Sequence, residues 1–217
     1  MPDFPLFQSI FIYGIPILFA ITVHEVAHGW VASKRGDQTA RMLGRLTLNP
    51  LKHIHPVGTV IVPAILVATG GPIFGWAKPV PVDWRNLRRP KQDMAWVALA
   101  GPGANLMMFV IWAAVVKLIQ LTGGPGDGPV LALYFMAIIG IIINAVLMIF
   151  NMVPIPPLDG SRVMSSLLPP KLAYRYNQLE RFGIFIVISL LLVAYYTGYL
   201  NLFFIKLQST LVKLLGL

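Results

Sequence analysis

The chain has 217 residues, of which 57% are hydrophobic and 12% are charged, against about 25% charged residues in ordinary soluble domains. This composition excludes a soluble globular domain and a disordered chain, and the absence of cysteine excludes disulfides and thiolate chemistry. The formal net charge is +9 with the basic residues between apolar runs, so we expect an anionic lipid surface, and no nucleic acid, as the partner.

Four apolar runs reach the length of about 20 residues that a membrane-spanning helix needs. They are residues 7–32, 94–121, 130–153 and 182–200. The first run has no basic residue before it, so we expect it to be retained as a span and not cleaved as a signal peptide. Residues 201–217 are amphipathic and predict either an interfacial helix or part of a further span.

The region 34–93 is harder to interpret. Residues 57–69 are apolar but number only 13, contain a proline and end at a Gly-Gly-Pro turn, which favours a re-entrant segment over a span. Residues 44–50 alternate in polarity and predict a short strand, with which residues 57–62 could pair.

The basic residues predict the orientation in the membrane. Ten of them lie in 34–93 and four in 161–181, whereas the 122–129 turn has none. If 57–69 does not cross, both basic groups lie on the cytoplasmic side and the N-terminus lies outside. If 57–69 crosses, the ten divide equally and the bias largely disappears. We therefore predict an all-α membrane protein, a polytopic helical bundle of four spans plus a re-entrant β-like element, with five or six spans as the alternative.

The strongest functional signal is the motif HEVAH at 24–28, near the end of the first run. Residues four apart on a helix share a face, so His24 and His28 can bind one zinc ion while Glu25 acts as general base. Ionisable residues inside a membrane helix are costly and usually mark a functional site. The alternative is a hydrogen-bonded polar cluster at a helix end, which leaves Glu25 among apolar residues unexplained.

A catalytic zinc ion takes three protein ligands and leaves one position for water, so a third ligand is needed. The candidates are His53, His55 and the aspartates. Among them Asp159 stands out, because it ends the segment NMVPIPPLDG (151–160), whose prolines prevent a regular helix after the third run. In the four-span topology Asp159 and His28 both lie near the inner face. Alternatively, Asp159 is the N-cap of a following helix.

Three motifs in this order, HEVAH, GPGAN at 101–105 and NMVPIPPLDG, resemble the site-2 protease family of intramembrane zinc metalloproteases. GRLTLNP at 44–50 and FGWAKPVPV at 74–82 resemble its short prokaryotic branch, which has no inserted sensor domain. The resemblance covers most of residues 15–165.

The resemblance implies a role for each matching residue. One zinc ion per chain is bound by His24, His28 and Asp159, Glu25 is the general base, and Asn151 lies near the catalytic water or the scissile carbonyl. Asn105 matches an asparagine of structural role. Many relatives carry Asp at the position of His55, so a weak second metal site in this loop is an alternative to ordinary solvated imidazoles.

We therefore predict an intramembrane zinc endopeptidase that cleaves single-pass membrane proteins within or near their spans, as in regulated intramembrane proteolysis. It forms one membrane domain over 1–217, with a core at 7–165 and an accessory part at 182–217. We expect it to be multi-pass in the cell membrane, surrounded by the lipid bilayer, with its active site toward the cytoplasm. The alternatives are a catalytically silent relative that binds membrane helices and a metal-binding transporter.

Overall fold

The computed structural model describes residues 4–71 and 75–216, and this part of the chain is helical and contains no strand. Its α-helices are α1 (Leu6–Arg35), α2 (Thr39–Met42), α3 (Val62–Ala68), α4 (Pro90–Leu121), α5 (Pro129–Asn151), α6 (Asp159–Leu167), α7 (Pro170–Asn177), α8 (Gly183–Tyr196) and α9 (Tyr199–Leu215).

Four helical stretches are long and apolar enough to cross a membrane: Phe7–Arg35, Pro90–Leu121, Pro129–Asn151 and Pro170–Tyr196. They overlap the four predicted runs, so the prediction of an all-helical chain with four spans is confirmed at the level of length and composition. The fourth stretch consists of α7, a 3-10 turn and α8 in succession.

The centre of the fold is a bundle of α1, α4 and α5, each of which packs against the other two, and α6 lies against α4. At one end of the bundle Ala32, Leu87 and Val97 form a buried cluster. Beside that cluster the Arg35 guanidinium pairs with the Asp93 carboxylate at 3.1 Å, which ties the end of α1 to the start of α4.

A second buried cluster attaches the C-terminal helix to the bundle. Leu211 and Leu215 of α9 pack with Val116 of α4 and with Ala137 and Ile141 of α5. The segment predicted as an interfacial helix or part of a further span is therefore a helix whose last turns are buried against the α4–α5 pair.

The loop after α1 is tied to the chain that precedes α4. The buried carboxylate of Asp37 accepts hydrogen bonds from the backbone N–H of Thr39 at 3.1 Å, the N–H of Asp83 at 2.8 Å and the side-chain amide of Asn86 at 3.1 Å. Burial alone would raise the pKa of Asp37, but these hydrogen bonds outweigh burial and hold the pKa below its usual value.

The two strands predicted for the re-entrant element are not formed in the described part of the chain, whereas its failure to cross the membrane stays a prediction. Residues 45–49 make no ladder with any described part of the chain, and they lead into a 3-10 turn at Pro50–His53. The residues expected to form the second strand instead form a π-helical turn at Pro56–Ile61, which continues into α3.

Local capping explains why these segments are helical. Asn49 accepts the backbone N–H of Leu51 at 3.1 Å, and His55 Nδ1 accepts the N–H of Gly58 at 3.0 Å. A proline follows each capping residue, at the first position of a turn, where the missing N–H costs nothing and the fixed φ suits a helix. Side-chain caps that compete with strand pairing therefore prevail over the alternating pattern.

Candidate metal centre

Two helices bring together the three side chains predicted as zinc ligands. His24 and His28 lie one turn apart on α1, and Asp159 is the first residue of α6. The two Nε2 atoms are 3.1 Å apart, His24 Nε2 is 3.2 Å from Asp159 Oδ2, and His28 Nε2 is 3.3 Å from Asp159 Oδ1. Among the described residues, His24, His28 and Asp159 form the group of side chains that could hold a metal ion.

The dimensions of this triangle fit zinc. Zinc ligands at about 2.0–2.2 Å in a tetrahedral site lie roughly 3.3–3.5 Å from one another, close to the three distances observed. Imidazole nitrogen and carboxylate oxygen are also donors that zinc accepts. Oδ2 of Asp159 is buried and has no hydrogen-bond partner in the described chain, which is unfavourable unless a cation is bound.

The outer nitrogens of the two imidazoles are held by acceptors. His24 Nδ1 lies 2.6 Å from Asn105 Oδ1, and His28 Nδ1 lies 2.7 Å from the backbone oxygen of Val97. Both acceptors are on α4, and each places the ring proton on Nδ1. The two Nε2 lone pairs therefore point at the carboxylate, as in metal-binding histidines whose other nitrogen donates to an oxygen.

Asp159 is not the N-cap that the alternative interpretation required. The cap position is Leu158, no side chain caps α6, and the carboxylate of Asp159 turns toward the imidazoles. The carboxylate oxygens therefore face the two Nε2 atoms, in the position from which they could bind the same metal ion.

Gly101 lets α4 approach the imidazoles. A Cβ atom at Gly101 would overlap the ring atoms of both His24 and His28, whereas one at Gly103 would meet nothing within 4 Å. From the sequence, the glycines of the GPGAN motif predict only close helix packing. The structure shows that the first of them, Gly101, packs on the two imidazoles, which a sequence pattern does not reveal.

Glu25 lies between the two histidines but does not belong to the triangle. Its Oε2 accepts the backbone N–H of Val80 at 2.8 Å, from an extended segment that crosses α1. Val80 stands between Pro79 and Pro81, which have no N–H, so its amide is the one donor of this tripeptide. Sequence reasoning missed this contact, although a single N–H between two prolines is a signal that could have indicated it.

Three other predicted or alternative site residues lie outside the triangle. The side-chain amide of Asn151 donates to the backbone oxygen of Leu147 at 3.0 Å, so its role toward substrate stays a prediction. His53 is buried, and its Nε2 donates to Thr47 O at 2.9 Å. His55 caps the π-helical turn. Neither His53 nor His55 joins the His24–Asp159 group, and His53 is not the solvated imidazole we expected.

An apolar cavity of about 190 Å³ lies beside the part of α1 that precedes Glu25. It is lined by Ile15, Leu18, Phe19 and Thr22 of α1 and by Leu48 and Pro50. Thr22 precedes Glu25 by three residues, so the two side chains are neighbours on one face of the helix.

Comparison with known proteins identifies relatives that are 25–40% identical to this chain. The protein named "Putative zinc metalloprotease YwhC" of Bacillus subtilis is 40% identical over 184 residues, which are 82% of this chain and 78% of the relative. "Putative zinc metalloprotease Rip2" of Mycolicibacterium smegmatis is 32% identical over 193 residues, 88% of this chain and 68% of the relative. Rip2 of Mycobacterium tuberculosis strain H37Rv is 25% identical over 185 residues, 84% of this chain and 67% of the relative. No protein-family model matches the chain, and no solved structure matches it significantly.

Proposed function

Because the chain belongs to the site-2 protease family of zinc metalloproteases, we propose that it is an intramembrane endopeptidase that hydrolyses peptide bonds within or near membrane spans. The observation that carries the proposal is the triangle of His24, His28 and Asp159, whose two histidines lie with Glu25 on a helix long and apolar enough to cross a membrane. The substrates are single-pass membrane proteins, and the activity is of the kind used in regulated intramembrane proteolysis.

The three side chains of the triangle would hold one zinc ion per chain. Bound in this way, zinc activates a water ligand and polarises a carbonyl group. Glu25 is the proton carrier. Its Oε2 is engaged by the Val80 amide, which orients the carboxylate and leaves Oε1 to take a proton from the attacking water and deliver it to the leaving amine nitrogen.

The substrate has to be unwound before it can react. A membrane helix satisfies its carbonyl groups internally, so glycine, proline or polar residues in the substrate span should assist cleavage. The cavity lined by Thr22, one helical turn before Glu25, would receive an apolar side chain of the substrate. At about 190 Å³ it is comparable with a cavity of about 150 Å³, lined by Leu, Ile and Phe, that accommodates benzene.

Asn151 is retained as a candidate substrate-binding residue. It ends α5, directly before the turn that leads to Asp159. Its amide donates one N–H to the Leu147 carbonyl, and its second N–H would be the donor to a substrate oxygen. In the cell membrane we place this end of α5, and with it the active site, on the cytoplasmic side, where the basic residues are concentrated.

The test is cleavage of a single-pass membrane protein, with a glycine in its span, by the purified full-length protein in detergent. Glu25→Gln should keep its zinc and slow cleavage by about 10²–10⁴-fold, because general acid–base assistance is lost. Glu180→Gln is the matched control, since Glu180 is the other glutamate of the chain and pairs with Arg162 on α6. It should cleave at nearly the wild-type rate.

A metal chelator should abolish cleavage, and added zinc should restore it. If Glu25→Gln cleaves as fast as the wild-type protein and the chelator has no effect, hydrolysis at this centre is excluded. Zinc binding without any cleavage, by the wild-type protein as well as the variant, would indicate a silent helix-binding relative or a transporter.

A further inference from the structure

The two imidazoles of the metal centre are oriented by different kinds of partner. His28 faces a backbone carbonyl, that of Val97, which can only accept a hydrogen bond. His24 faces the side-chain amide of Asn105, which can present either its oxygen or its NH₂ group. The position of the proton on His24 therefore depends on which way round the Asn105 amide lies.

The surroundings of Asn105 decide the orientation of that amide. Its Nδ2 lies 2.8 Å from Asn144 Oδ1 and 3.2 Å from the backbone oxygen of Ala20. Both neighbours are acceptors, so the NH₂ group belongs there and the oxygen faces His24. Asn144 is held in turn, because its own Nδ2 donates to the backbone oxygen of Gly140 at 2.8 Å.

These hydrogen bonds form a chain with a single direction. His24 on α1 donates to Asn105 on α4, which donates to Asn144 on α5, which donates to the Gly140 carbonyl. Asn105 and Asn144 are both 0% exposed, so no water competes for these groups. Reversal of the Asn105 amide would point an NH₂ group at His24 Nδ1 and move the ring proton to Nε2, the nitrogen that faces Asp159 and His28.

We propose that Asn105 and Asn144 form a relay that fixes the tautomer of His24, so that Asn144, a residue of α5 that acts through Asn105, is a positioning residue for zinc affinity. The relay rests on the zinc site of the proposed function, but it does not depend on protease activity. It assigns a task to the second and third spans, whose buried asparagines have no other role in the proposed function.

The experiment measures zinc affinity by competition with a chromophoric chelator, on the full-length protein in detergent. Asn105→Leu should weaken zinc binding by about 10–100-fold, the usual effect of losing a hydrogen-bond partner of a metal-bound histidine. Asn144→Leu should weaken it less, by roughly 3–10-fold, because Ala20 still holds the Asn105 amide. Ser165→Ala, a buried polar-to-apolar change on α6 six residues from Asp159, is the control and should leave zinc affinity unchanged.

Asn105→Asp separates the relay from a purely structural role. A carboxylate accepts from His24 Nδ1 in either orientation, so zinc affinity should remain within about threefold of wild type. The thermal stability of the same variant without metal should nevertheless fall at least as far as that of Asn105→Leu, since a buried carboxylate then faces Ala20 O and Asn144 Oδ1. The cobalt-loaded variant should also keep the wild-type absorption spectrum.

Two results would overturn the relay. One is wild-type zinc affinity in either leucine variant, and the other is an Asn105→Asp protein that binds zinc no better than Asn105→Leu. If the wild-type protein itself binds no zinc, the proposed function fails, whereas a failure confined to the variants removes only the relay.

Discussion

At the scale of single residues, the metal centre depends on groups that the zinc-binding motif does not contain. The motif specifies His24, Glu25 and His28, but Asn105 and Val97 orient the imidazoles and Val80 orients the carboxylate. Spacing along the chain predicts none of these contacts, because the partners lie on α4 or on an extended segment distant in sequence.

Gly101 provides a sharp test at this scale. Gly101→Ala should lower zinc affinity by about tenfold or more, because the added methyl group overlaps the rings of His24 and His28 and forces them to turn. Gly103→Ala, two residues along the same helix and facing open space, should bind zinc normally. It should also be slightly more stable, by up to about 1 kcal/mol, since alanine is the better helix former.

The measurement is zinc affinity of both purified variants under identical conditions, together with their thermal unfolding. Equal zinc binding by Gly101→Ala and Gly103→Ala would show that the α4 backbone is not closely packed on the imidazoles.

At the scale of elements, the connection between α1 and α4 differs most from the sequence-based expectation. The alternating pattern at 44–50 predicted a strand, but Asn49 and His55 cap helical turns instead. The extended segment that contains Val80 then crosses α1, where a Cβ atom at Gly29 would meet the side chains of Leu46 and Val80 at 2.6 and 2.7 Å. This connection therefore packs against α1 and contacts Glu25 without forming a sheet.

The anchor of this connection makes the stability of the protein depend on pH. Because hydrogen bonds lower the pKa of Asp37 in the folded state, its contribution is present above the unfolded pKa of about 3.9 and is lost as the pH falls through the lower folded pKa. Asp37→Asn should therefore destabilise the protein near pH 7, by about 1–3 kcal/mol, and the difference from wild type should shrink below about pH 4.

The measurement is chemical unfolding of the two proteins in detergent at several pH values. Asp127→Asn is the control, because Asp127 is exposed in the turn between α4 and α5, and it should show no such pH-dependent difference. If the difference in unfolding free energy between Asp37→Asn and wild type stays constant down to about pH 2, the Asp37 carboxylate is not the source of the pH dependence.

At the scale of the whole molecule, the candidate metal centre lies where α1, α4 and α6 meet, and α5 contacts it through the hydrogen bond between Asn105 and Asn144. The fourth candidate span packs less closely against the rest of the chain. In its most apolar 18-residue stretch 11% is buried, whereas the buried share is 28% in each of the first three spans. The three central helices and α6 are therefore the part of the fold that the site requires.

The orientation in the membrane can be tested because the chain has no cysteine. A cysteine introduced at Asp127 should react with an impermeant thiol reagent applied outside the cell. A cysteine at Arg88 should react only after the membrane is opened, since the positive-inside rule places the basic region 34–93 in the cytoplasm. Labelling of the Arg88→Cys protein in intact cells would show that residues 57–69 cross the bilayer, and would add a span to the four.

The spans and the candidate ligands could be predicted from the sequence because both depend on short-range patterns. A span needs a continuous apolar run, and the two histidines of a zinc motif need only the spacing of one helical turn. Asp159 could also be proposed as a candidate from the sequence, because the prolines before it prevent a regular helix. The helical form of residues 50–61 could not be predicted, because capping by Asn49 and His55 competes closely with strand pairing.

The sequence by itself therefore determines the long apolar runs and the zinc-type motif, and it makes Asp159 a candidate for the third ligand. The folded chain adds the geometry: which nitrogen of each imidazole faces the carboxylate, which amide holds Glu25, and why residue 101 is glycine. The physical reason is that hydrogen bonds and close packing in the bundle join residues about 40 to 85 positions apart, such as His24 with Asn105 and Asn105 with Asn144. A local pattern carries no information about which helices meet, so these contacts exist only once α1, α4 and α5 are packed together.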